Sequence, residues 1–200
     1  MILEHLGKRP DIHETAWVAP DATVCGDVSI GAGARVMHGA RIVAEGGRIA
    51  IGRCGIVMEN AVVRATAAHG CRIGDHVLIG PVAHVVGARI DDKVFLATGT
   101  AIFHSSHIGA RSVVRIHGVV HVNTVLAPDS IVPIGWIAVG DPAQLFPPDR
   151  HDDLWAVQQT LNFTQTAYGI DPPLADGMAQ ITRTVSDRLA AHAEDKVFGP

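Results

Sequence analysis

One spacing constrains this chain more than any other feature. Counting in sixes from Val18 meets Val24, Ile30, Val36 and Ile42; the count restarts at Ile51, Val57 and Val63, and again at Ile73, Ile79 and Val85. After one five-residue step it runs through Ile90, Leu96, Ile102, Ile108, Val114, Val120, Leu126 and Val132. Every position is Val, Ile or Leu, a run that chance does not produce even in an apolar-rich chain. The fourth residue after the aliphatic is usually small, as at Ala22, Ala34, Ala40, Ala61, Ala83, Thr100, Ser106, Ser112 and Thr124. Glycine often follows the aliphatic directly, at Gly31, Gly52, Gly74, Gly80 and Gly109, which suits a tight corner.

A period of six fits neither a helix, with about 3.6 residues per turn, nor a meander of plain strands. It fits a short strand and a turn repeated on three faces, so that three hexapeptides close one triangular coil. The aliphatics point inward and form a ladder, and each coil covers its neighbour. The expected fold is therefore mainly β, a parallel β-helix over residues 1–148, with a helical tail over 149–200 packed on or beside it. Two stretches interrupt the repeat, Val43–Ala50 and Arg64–Arg72. Loops on a rigid scaffold often carry function, although plain insertion explains them equally well.

The tail begins after Pro147-Pro148. Asp152-Asp153 favour a helix start, Leu154, Val157 and Leu161 keep helical spacing, and Gly169 ends the segment. A second helix is expected after Asp171-Pro172-Pro173, with an apolar stripe of Leu174, Met178, Ile181, Val185 and Leu189. That stripe covers a β-helix face or meets a partner helix.

Composition narrows the function classes. Asp and Glu outnumber Lys and Arg by 20 to 16, and no basic stripe is present, so nucleic acid is not an expected partner. No apolar run is long enough for a membrane span. The start has no signal-peptide layout, and Cys25, Cys54 and Cys71 have no paired spacing. Together these point to reduced thiols in the cytoplasm, each filling a packed wall as a small apolar residue.

The segment from Val24 to Ala143, about 60% of the chain, resembles the γ-class carbonic anhydrases. The matching residues are Gly26-Asp27-Val28, Ile51-Gly52, Ile73-Gly74-Asp75-His76-Val77 and Ala138-Val139-Gly140-Asp141-Pro142-Ala143, which is similar to the family's V-G-x-P-A ending. The resemblance implies a left-handed helix sense and a homotrimer. It also implies a zinc ion between subunits on three His, two from one subunit and one from its neighbour. Such a zinc keeps a fourth position open for the water it activates.

The ligand positions differ here. The segment resembling I-Q-D-x-x-x-x-H reads Val57-Met58-Glu59-Asn60-Ala61-Val62-Val63-Arg64, and the one resembling G-H-x-x-x-x-H-G reads Gly80-Pro81-Val82-Ala83-His84-Val85-Val86-Gly87. The three zinc positions therefore fall on Arg64, Pro81 and Val86, none of which ligates zinc as His does. Neither zinc nor any other cofactor is expected by that route, and zinc-dependent CO2 hydration is expected to be absent. Arg64 and Glu59 are the charged groups left at the place. They form either an interface ion pair across two subunits or an inter-subunit pocket in which Arg64 holds a small anion or acyl ligand. His69, in the second interruption, is a further pocket candidate, and His38 and His84 read as corner or interface residues. His104, His107, His117 and His121 cluster in the later coils. A shifted metal site on His117 and His121 would make the protein a rearranged carbonic anhydrase. The same frame also suits a CoA-dependent acyltransferase with a His base, or a non-enzymatic trimeric scaffold.

Overall fold

The computed structural model describes residues 1–171 and 177–198. Short strands wind into a left-handed parallel β-helix with three faces. The first face stacks Ile2–Glu4, Thr23–Cys25, Arg41–Glu45, Val62–Thr66, His84–Val86, Ala101–Ile102, Val119–Val120 and Ile137–Val139. The other two faces each carry seven strands in the same coil order. All ladder residues except the half-buried Val18 are buried, and the six-residue register is kept between coils, as in Val63 beside Val85 and Ile42.

The corners are four-residue turns. Ala40 donates its N–H to Met37 O at 3.2 Å, and Gly39 between them has φ +71°. The small residue after each turn faces the interior. Hydroxyls there bond to backbone at several corners, as Ser106 Oγ does to Phe103 O at 2.6 Å, whereas Thr100 Oγ1 is buried without a partner among the described residues. The glycines directly after the aliphatics serve a different purpose from the one their spacing suggests. Their φ values are not positive; instead, a Cβ on Gly31 would stand 2.8 Å from Gly52 C, and one on Gly109 would stand 2.4 Å from Pro128 N. They allow coils to approach backbone to backbone.

The two interruptions begin as extensions of strands on the first face. Arg41–Glu45 and Val62–Thr66 are five residues long and pair along their whole length, Glu45 beside Thr66. The longer strands then turn sharply, Thr66 and His69 exchanging two backbone hydrogen bonds at 3.0 Å, so the two extra segments stack on one another and lengthen one edge of the prism. Gly46 makes that stacking possible: its φ is +88° and a Cβ there would meet the Ala67 Cβ at 3.2 Å.

Both open ends of the first face are covered by antiparallel strands. Gln144–Phe146 pairs with Ile137–Val139 at the last coil, and Lys196–Phe198 pairs with Ile2–Glu4 at the first. This protects sheet edges that would otherwise pair with another chain. It also means the tail runs back along the whole prism.

The tail contains α1 (His151–Gln158), α2 (Phe163–Tyr168) and α3 (Gly177–Leu189). The helix expected to run from Asp152 to Gly169 is broken at Asn162, whose φ is +46°. Gly169 ends α2 with φ +74°, as its position suggests. Of the second apolar stripe, Leu174 lies outside the described residues, Met178 is exposed, and Val185 and Leu189 face the cleft described below.

Candidate functional site

The first face and the tail enclose a cleft of about 540 Å³. Its floor carries Arg64, His84, Val86, Phe103 and His104 on successive coils, with Glu45 and His5 at one end. Its roof is Phe163, Tyr168, Val185 and Arg188 from α2 and α3. The volume falls within the range of small-molecule sites, and the lining mixes apolar side chains with charged and titratable ones.

Arg64 and Val86 are register partners on neighbouring strands, so two of the three positions that the resemblance assigns to zinc ligands lie side by side in this cleft. Pro81 lies at another corner and lines a separate apolar groove with Met58, Leu78, Phe95, Ile116 and Ile134. Glu59 belongs to that same corner, where its carbonyl accepts the Val82 N–H at 3.0 Å. Arg64 donates from Nη2 to Glu45 Oε1 at 2.6 Å within the chain. Sequence reasoning missed Glu45, which lies inside the first interruption. The cleft over Arg64 is walled by the chain's own tail.

His84 and His104 on the cleft floor are biased toward the neutral form. Burial pushes His104 down to about 4, and proximity to His69, Arg64 and His84 adds to the shift. Burial and then Arg64 lower His84 as well. His104 Nδ1 is buried with no partner. Arg64 is thus the fixed cation on the cleft floor, and its fork has donors beyond the one given to Glu45.

His69 is held as a structural post. Its Nε2 donates to Thr166 O at 2.8 Å and its Nδ1 accepts from Ser105 Oγ at 3.1 Å. Its ring stacks edge-on against His104, with centroids 5.3 Å apart. It ties the second interruption to α2 and so positions the roof. His121 sits under α1, its Nε2 3.0 Å from the Gln158 amide, in an aromatic cluster with Phe103 and Phe163. His117 stands exposed at a corner with φ +56°. Neither joins a group of three metal-ligating side chains among the described residues. His38 pairs with Asp21 at 2.7 Å on an exposed corner, and His107 with Asp91 at 2.8 Å.

The cysteines differ from the uniform packing their spacing suggests. Cys71 is in the core, Cys54 is exposed at a corner with φ +53°, and Cys25 is buried against Asp195. That last contact belongs to a cluster of His5, Cys25, His192 and Asp195 whose members come from both ends of the chain. Sequence separation concealed it.

No protein-family model matches the sequence. The chain is similar to two mitochondrial γ carbonic anhydrases of Arabidopsis thaliana. Gamma carbonic anhydrase 1 is 28% identical over 143 residues, covering 68% of this chain and 50% of the relative. Gamma carbonic anhydrase 2 is 26% identical over 143 residues, covering 68% and 49%. The chain thus spans about half the length of the curated relatives it matches. In structure it is similar to a UDP-N-acetylglucosamine acyltransferase of Bacteroides fragilis, with TM-score 0.58, 14% identity, and 96% and 87% of the two chains covered. That likeness concerns the fold alone. No helix among the described residues is long and apolar enough to cross a membrane.

Proposed function

We propose that this γ-carbonic-anhydrase-like β-helix protein forms a homotrimer that holds a small organic anion, a carboxylate or an acyl-bearing acid, in the cleft over Arg64. It does not hydrate CO2 by the zinc chemistry of its relatives. The observation that carries this reading is the place of Arg64, a permanent guanidinium on the floor of a cleft part-walled by Val86, Phe103 and Phe163, with Val86 standing where the resemblance puts a zinc ligand. Guanidinium forks match carboxylates, and Phe103, Phe163 and Val86 would pack an apolar body.

The residues at the family zinc positions do not fit zinc: a guanidinium, an imino ring and an isopropyl group supply no lone pair for the ion. Support for the trimer comes from the apolar surface around Pro81. Phe95, Ile116 and Ile134 are 42%, 44% and 60% exposed there, and a neighbouring copy would cover them. If subunits meet as in the resemblance, that corner brings Glu59 toward the next subunit's cleft.

Thermal stabilisation by acetate, longer carboxylates, bicarbonate and acetyl-CoA, paired with a CO2 hydration assay in added zinc, tests this reading. Stabilisation by carboxylates with hydration at the uncatalysed rate is expected. Stabilisation by acetyl-CoA alone would replace it with an acyltransferase, and hydration well above background would restore an anhydrase. No stabilisation by any compound would leave the scaffold reading.

A further inference from the structure

We propose that His5, Cys25, His192 and Asp195 form a binding site for a zinc-class transition-metal ion that fastens the end of the chain to the first two coils. This site is separate from the three family positions and does not rest on the anion reading.

The four side chains each offer one donor atom, and those atoms lie within 4.8 Å of one another. Asp195 is the hub: Oδ1 lies 2.5 Å from His5 Nδ1, and Oδ2 lies 2.8 Å from His192 Nδ1 and 3.5 Å from Cys25 Sγ. The two imidazoles stack, with centroids 4.2 Å apart and planes at 21°. His5 is 3% exposed and Cys25 1%. One sulfur, two nitrogens and one carboxylate oxygen suit zinc, cobalt and their neighbours; calcium and magnesium want oxygen alone. With metal–ligand distances of about 2.0–2.3 Å, tetrahedral donors stand roughly 3.3–3.8 Å apart. On binding, the Asp195–His hydrogen bonds at 2.5 and 2.8 Å open to that spacing and the more distant donors draw in.

Four protein donors leave no position open for water, which is the pattern of a structural site. Binding of the divalent ion releases the Cys25 thiol proton. Both imidazoles stay neutral, each keeping its remaining N–H on the ring nitrogen turned away from the metal. For His192 that nitrogen is Nε2, which already lies 4.0 Å from Glu45 Oε1. A ligating imidazole commonly gives its second N–H to a carboxylate in this way. Glu45 in turn holds Arg64. A Cys-His-Asp nucleophile is the competing reading, but the thiol is buried and faces Asp195, where no substrate reaches it.

The ligands come from a corner of the first coil, the second coil and the turn before Lys196–Phe198, so the ion would link residues 190 positions apart. The strand pairing of Ile2–Glu4 with Lys196–Phe198 is then held by more than its own hydrogen bonds.

The full chain, purified without a His tag, is stripped with a chelator and titrated with cobalt(II) and zinc(II). About one equivalent per chain is expected, with a near-ultraviolet thiolate-to-cobalt band that survives Cys54→Ser and disappears in Cys25→Ser. His192→Ala lies outside the β-helix; with unchanged circular dichroism, it should drop bound zinc below roughly a tenth of an equivalent. Wild-type binding below that level overturns the proposal. So does a cobalt band that persists in Cys25→Ser, or undiminished zinc in His192→Ala.

Discussion

Arg64 Nη2 and Glu45 Oε1 are 2.6 Å apart, joined across adjacent strands of the same face. The carboxylate is the more buried partner, with its side chain 17% exposed against 36% for the arginine. It therefore competes with any anion for the guanidinium. Glu45→Gln should tighten carboxylate binding by about three- to tenfold, the scale of a partly exposed charge pair. Calorimetric titration of both proteins checks it, and equal or weaker binding in the variant counts against the competition.

Stability should fall in acid through three buried or half-buried histidines, His84 and His104 in the cleft and His121 under α1. Burial lowers His104 to about 4, and lowers His84 and His121 too. A histidine depressed in the folded state binds its proton more readily when unfolded, so protonation favours unfolding. The stability is complete above the unfolded value near 6.5 and declines as pH falls toward 4, by up to about 3 kcal/mol for His104. Melting temperature against pH for wild type and His104→Phe measures this, with a shallower decline expected in the variant.

The ladder is unequal along its length. Leu96 is fully buried in a middle coil, and Leu96→Ala should cost about 2–5 kcal/mol. Val18, half-buried in the first coil, should lose less than about 1 kcal/mol as Val18→Ala. Denaturant unfolding of the two variants gives both numbers.

Two glycine substitutions separate coil spacing from backbone conformation. A Cβ at Gly109 meets Pro128 N at 2.4 Å, whereas at Gly135, with φ +69°, it meets nothing within 4 Å. Gly109→Ala should destabilise by about 2–3 kcal/mol through overpacking. Gly135→Ala should cost about 1 kcal/mol, from its left-handed backbone alone. Reversal of that order in thermal unfolding would mean the close coil approach is readily relieved.

The frame was legible because one buried side chain recurs every six residues, and burial acts on each coil alike. Val43–Ala50 and Arg64–Arg72 broke the count but not the sheet: their strands simply lengthen before the corner, and no spacing rule marks where a longer edge resumes. Arg64 was identifiable as a charged residue at a position the resemblance assigns to a ligand. Its partner Glu45 was not, because pairing there follows strand register and not the ladder. The His5–Asp195 contact was hidden for a different reason. It depends on the tail returning to the first coil, which the apolar stripe of α3 does not specify. The glycines after the aliphatics were correctly marked as special, yet the cause is the neighbouring coil's backbone, visible only once the coils are stacked.

The most direct measurement is calorimetric titration of a short-chain carboxylate into wild-type protein and Arg64→Met side by side, each with its oligomeric state confirmed. Binding to the wild type with at least a tenfold loss in Arg64→Met, about 1.4 kcal/mol or more, is the predicted result. Equal affinity in two equally folded proteins would contradict an anion site at Arg64.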